Sequence, residues 1–262
     1  MRFDQAAIVV ASALLCADVH ATPAYDGQTP MIETGPLWFD PALSAEEQAS
    51  AVQTLLQSQA NIVAVYGERL ASTRIVWCKT TECATYFAGT DRRPFSTPGH
   101  GKPRPGAQYA FSFPAIVVLG PPGRFTGQVL THEMSHMEFR ARLHGVSVPS
   151  WFNEGVASYI GGDQDQSCRS GVRGIDNLFD LDSSAQWTAY TFQHRDKARL
   201  TYCQARNEAG AWITEHGGFS AVLDLLAGRS KGRSFYSLYG RQQELLSAAV
   251  EPAQAQSKDV TN

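Results

Sequence analysis

The chain has 262 residues, 43% of them hydrophobic and 18% charged, with a formal net charge of −3. This composition excludes a disordered or fibrous chain and leaves room for one large domain or two small ones. A charge this mild, with no basic run, argues against nucleic acid or a membrane surface as a partner.

Residues 1–21 read as a secretory signal peptide. A short polar start with Arg2 precedes the apolar run AAIVVASALLCA, and Val19 and Ala21 occupy the positions a signal peptidase prefers. The run is too short to span a bilayer, and no other run is longer. Leu15 stands where a lipid anchor on Cys16 would need a small residue. The expectation is a secreted or periplasmic protein with no membrane attachment after signal removal. Cysteine use agrees. Cys78, Cys83, Cys168 and Cys203 remain after the signal, and an even count in an exported chain suggests two disulfides. CKTTEC closes a small loop from Cys78 to Cys83, leaving Cys168 to pair with Cys203, although sequence alone permits three pairings. CKTTEC lacks a second cysteine pair at zinc spacing and is not a structural zinc site.

Residues 22–43, rich in Pro, Gly and Thr, read as an extended mature N-terminus. One domain is then expected over 44–250, with a flexible polar tail at 251–262. Ser44 with Glu47 three residues on marks the start of a helix by the capping-box pattern. STRIVWC (72–78) reads as a strand and ECATYFAG as a short helix ending at Gly89. Residues 90–108 hold four prolines and three glycines and read as a long loop. FPAIVVLG (113–120) is a short apolar strand, and a helix follows from Thr126 to about Leu143, ended by His144-Gly145. Ser150 is placed to cap a second helix, WFNEGVASYI, that Gly161-Gly162 stops. Residues 163–185 are loop-like. Helices are expected over about 186–216, 218–227 and 234–250. The fold class is therefore α+β, dividing near 162 into a mixed half and a helical half, with a cleft where the halves meet.

The chemistry lies in THEMSH, residues 131–136. His132 and His136 are four apart on a helix, so both imidazoles lie on one face and can reach a single ion. Glu133 points to the side of that face, too poorly placed to ligate beside both but able to reach a water on the ion, as a general base must. An apolar strand stands just upstream, and an edge strand there could hold a peptide in extended form by main-chain hydrogen bonds. A third ligand is needed. Phe139 and Arg142 occupy the positions where one zinc pattern has Gly and a third His, so that pattern fails. His144 could reach the ion only if the helix broke. Glu154, in PSWFNEGVASYIGG, is separated from His136 by seventeen residues, enough to turn the chain and bring a second helix back. Gly155 beside it would let two helices approach closely, with Trp151 and Phe152 filling the apolar space beneath.

HEMSH followed by Pro149, Trp151, Glu154, Gly155 and Ala157 resembles the gluzincin metallopeptidases, and more narrowly the short bacterial peptidase MA-like domains. The resemblance spans about residues 110–230 and is specific over 131–160. It implies a zincin-like fold: a small N-terminal sheet with an active-site helix, then a mainly helical C-terminal half. It implies Zn2+ held by His132, His136 and Glu154, Glu133 as base, Asn153 supporting the site, and a peptide or protein as substrate. It also implies an oxyanion donor from the helical half. Tyr202, in LTYCQARNEAGAWITEHGG, is the candidate, with Tyr190 and His194 in reserve. The other reading of Tyr202 is a core tyrosine packed beside Cys203. The chain departs from the family in a slightly shorter His-to-Glu gap. It also lacks, over 90–120, the Gly-x-Met-Glu-Asn segment that binds a free amino terminus, which favours internal cleavage over aminopeptidase action. A non-catalytic zinc-binding recognition module on the same scaffold is the alternative.

Overall fold

The computed structural model describes residues 31–88, 110–112, 116–120, 126–162, 168 and 171–240. The expected signal peptide (1–21), the expected loop at 90–108, the expected tail at 251–262 and residues 241–250 of the last expected helix lie outside them.

The chain is a mixed α and β molecule. Among the described residues the sheet has five strands, β1 (Ile32–Thr34), β2 (Leu37–Phe39), β3 (Arg74–Trp77), β4 (Ala110–Ser112) and β5 (Ile116–Leu119), in the order β1-β2-β3-β5-β4. The core strands β2, β3 and β5 run parallel, and the two edges run antiparallel to their neighbours. Alternation sorts the side chains between two faces. Leu37, Phe39, Ile75, Trp77, Val117 and Leu119 join the large core, whereas Val76 and Val118 join a second cluster with Cys78, Cys83 and Ala84. The first face is covered by α1 (Ala45–Tyr66) and α3 (Thr126–Leu143), the second by α2 (Thr81–Ala88). The helical half follows as α4 (Ser150–Ile160), α5 (Ser184–Gln193), α6 (Arg195–Glu215), α7 (Phe219–Ser230) and α8 (Phe235–Tyr239).

Local signals explain most of these boundaries. The Ser44–Glu47 capping box forms in full: Ser44 Oγ accepts from the Glu47 N–H, and the Glu47 carboxylate accepts from the Ser44 N–H at 2.7 Å. Both disulfides, Cys78–Cys83 and Cys168–Cys203, pair as expected. Asp40, fully buried, ties β2 to the start of α2 by accepting from the N–H groups of Ala42, Lys79 and Thr80 and from the Thr80 hydroxyl.

Four expectations need correction. The extended N-terminus contains the β1–β2 hairpin, turned by Gly35 at φ 58°, and it buries Leu37 and Phe39 in the core. Ser150 does not cap α4. It is the first helical residue, its N–H donates to the Asp182 carbonyl, and Pro149 holds the cap position. The helix expected over 186–216 is two helices. His194 leaves helical geometry at φ −116° and ψ 62°, and a Ser183–Gln186 capping box starts α5 earlier. The strand upstream of α3 is not an edge: β5 sits between β3 and β4, and the edge beside α3 is β4.

Candidate metal centre

Helices α3 and α4 build the site. His132 and His136 lie on consecutive turns of α3, and Glu154 lies in the second turn of α4. Their ligand atoms converge. His132 Nε2 and His136 Nε2 are 3.0 Å apart, and Glu154 Oε2 stands 3.3 and 3.4 Å from them. Tetrahedral ligands about 2.0–2.1 Å from a zinc ion stand about 3.3–3.4 Å from one another. Two imidazole nitrogens and one carboxylate oxygen at this spacing therefore fit such an ion, and these three residues are the one group among the described residues able to hold a metal.

The outer faces of the imidazoles are also held. The His136 Nδ1–H donates to Asn153 Oδ1 at 3.0 Å, which leaves the Nε2 lone pair aimed at Glu154 and His132. Ser158 Oγ lies 3.5 Å from His132 Nδ1, one turn beyond Glu154 on the same helix. This pairing was not foreseen. Its signal was the four-residue spacing between Glu154 and Ser158, which puts both on one face.

Electrostatics favour a cation here. Burial pushes the His136 imidazolium down, but the Glu154 charge and hydrogen bond outweigh it, with help from Glu133 and Asn153, and raise it to about 9. Burial pushes the Glu154 carboxyl up, and the two histidines more than reverse this, holding it well below the usual carboxylate range. Glu154 is thus an anion presented to two imidazoles. Glu133 is partly buried, and its charge reaches both His136 and Tyr202.

Helix packing sets the site's dimensions. A Cβ on Gly155 would lie 2.3 Å from the Ala205 carbonyl oxygen and 3.0 Å from Ala209 Cβ. The close approach that Gly155 permits is therefore between α4 and α6, rather than between the two motif helices. Gly161 serves that second contact: a Cβ there would meet the Gln128 carbonyl oxygen at 3.0 Å and His132 Cβ at 3.4 Å. Trp151 and Phe152 are fully buried beneath the site, edge-on to each other and packed with Phe235 and Tyr239.

The α4–α6 contact brings Tyr202 to the centre, with its ring 6.4 Å from that of His132. Its hydroxyl accepts from Trp187 Nε1 at 3.2 Å, and burial together with the Glu154 and Glu133 charges raises its pKa far above the ordinary phenol value. Tyr202 neighbours Cys203 of the disulfide in sequence, so a packing role and a place beside His132 coexist. The reserve residues are engaged elsewhere. Tyr190 donates its hydroxyl proton to the Gly174 carbonyl at 2.6 Å, and its ring packs 4.5 Å from His194, the residue that separates α5 from α6. His144 is no ligand: it is an exposed left-handed residue, φ 48°, at the end of α3. No family model matches the chain, and neither a curated protein nor a solved structure matches it.

Proposed function

We propose that the chain is an exported, zinc-dependent peptidase on a zincin-like scaffold, cleaving within peptide chains rather than from a free amino terminus. The observation that carries this reading is the convergence of His132, His136 and Glu154 from two helices, with Glu133 beside the first histidine in the motif. Zinc held there would supply a positive centre that lowers the pKa of a bound water to about 7. Glu133 takes a proton from the attacking water and delivers it to the leaving amine. Tyr202 donates from its hydroxyl to the peptide carbonyl oxygen as negative charge develops on it. Asn153 and Ser158 keep both Nε2 atoms turned inward. The β4 edge, beside α3, offers main-chain groups on its outer side that can align an extended peptide. Two disulfides support export, and among the described residues no helix is long and apolar enough to cross a membrane.

The test is metal analysis of the purified protein beside Glu154→Ala, with casein cleavage measured for the zinc-loaded wild type and Glu133→Gln. One zinc per chain, weakened in Glu154→Ala, and cleavage lost in Glu133→Gln are expected. Zinc without any cleavage would leave a zinc-binding recognition module. Absence of zinc from both proteins would overturn the reading.

A further inference from the structure

The Tyr202 hydroxyl has a fixed polarity. Trp187, 4% exposed on α5, points its indole N–H at the phenol oxygen at 3.2 Å, and the two rings meet edge to face at 4.9 Å and 88°. An indole N–H can only donate. The phenol oxygen is therefore the acceptor of that bond, and its own proton must go elsewhere. Among the described residues no acceptor takes it. Tyr190, sixteen residues from Gly174, shows the opposite arrangement: its proton is committed to a backbone carbonyl. Of the two tyrosines from this part of the helical half, only Tyr202 keeps a proton to give, and it is the one beside His132.

We infer that Trp187 is a positioning residue: by filling the acceptor side of the Tyr202 hydroxyl, it makes that hydroxyl an oriented donor toward an anionic oxygen at the metal centre. The inference deepens the peptidase reading and rests on it for the identity of that oxygen. Three features hold Trp187 and Tyr202 in register. The α5 capping box fixes the start of its helix, the Cys168–Cys203 disulfide secures α6 next to Tyr202, and Gln204 Oε1 accepts from the N–H groups of Gly174 and Ile175. A hydroxyl polarised by an accepted hydrogen bond is also a better donor, because hydrogen bonds in a chain strengthen one another.

The test needs no turnover. Phenylphosphonate, a tetrahedral anion, is titrated calorimetrically into four zinc-loaded proteins: wild type, Trp187→Phe, Tyr202→Phe and the double variant. Tyr202→Phe is expected to weaken binding about tenfold and Trp187→Phe about fivefold, magnitudes typical of a lost charge-assisted bond and a lost neutral one. The double variant should bind no more weakly than Tyr202→Phe alone, and zinc content should be equal in all four. Wild-type affinity in Trp187→Phe, additive losses in the double variant, or no binding by the wild type would each overturn the inference. If Trp187→Phe does not fold, the Trp187 indole N–H resonance of the wild type decides. It should move in metal-free Tyr202→Phe and again when phosphonate is added to zinc-loaded wild type, and a resonance that stays still in both overturns the assignment. The peptidase reading fails separately, by absence of cleavage, whatever the phosphonate result.

Discussion

Helix α3 has two polar faces with opposite characters. The face toward α1 carries Ser135, Glu138 and Arg142, and every one is paired. Tyr66 and Ser135 share a hydrogen bond of 2.8 Å, and Glu138, only 1% exposed, accepts from the N–H groups of Leu70 and Ala71 and from Arg142. Arg142 in turn donates to the Tyr66 and Glu68 carbonyls. The face toward α4 carries His132 and His136, whose Nε2 atoms crowd to 3.0 Å around one carboxylate oxygen. The first face is complete as it stands, and the second could hold a cation between its groups. The contrast separates polarity that anchors a helix from polarity that the anchored helix presents for use.

Substitutions on the two faces should therefore fail differently. The largest effect is expected from Glu133→Gln. Zinc should stay bound and the melting temperature should hold, while casein cleavage falls by about 10³-fold, within the range for loss of a general base. Retained cleavage would remove Glu133 from the mechanism. On the anchoring face, Glu138→Ala takes the carboxylate from the Arg142 guanidinium, which keeps only its carbonyl acceptors, and strands two backbone donors, and should destabilise the fold by about 3 kcal/mol. Urea denaturation measures this, and a change below about 1 kcal/mol would show that the face is not an anchor. Asn153→Ala should leave stability nearly unchanged and weaken zinc binding by about 10–100-fold, the usual effect of removing a partner of a ligating histidine. A competition titration with a chelator reads this directly.

The smallest expected effect is one of pH. In the metal-free protein burial lowers the His136 imidazolium, but Glu154 prevails and raises it to about 9, above the ordinary value near 6.5. A group raised on folding stabilises fully below its unfolded value, and its contribution disappears as pH rises through the folded one. Metal-free protein should lose stability between about pH 6.5 and about pH 9. Saturating zinc, which takes the place of that proton, should flatten the slope. Thermal melts across this range with and without zinc decide it, and a metal-free slope of the opposite sign would mean that Glu154 does not govern His136.

The site's ligand cluster was more legible than its support. His132 and His136 were readable from helical spacing, and Glu154 because a return of the chain after the motif fits the precedent of a glutamate third ligand. The Ser44 cap and both disulfides rest on equally local rules. The β1–β2 hairpin was not legible. Its strands are three residues each, too short for alternation to emerge, and β2 is a strand chiefly because β3 lies beside it. Trp187 carries no local signature, and the spacing of Ser158 from Glu154 gives a shared face but not its partner. Their roles depend on which imidazole or hydroxyl the packed helices bring within reach, and that is decided by tertiary contact. For the same reason Gly155 could be read as a point of close approach, but its partner could not be named.

That close approach has a consequence for how the molecule can change. The candidate ligands belong to α3 and α4, and the phenol beside them belongs to α6, so the two parts of the candidate centre are spaced by the hydrogen atom at position 155. A single methyl there would meet backbone, which cannot rotate aside as a side chain could. Growth at this glycine forces the helices apart and carries the hydroxyl out of range with no ligand altered. The candidate centre has a built-in ruler, and its unit is the absence of a side chain.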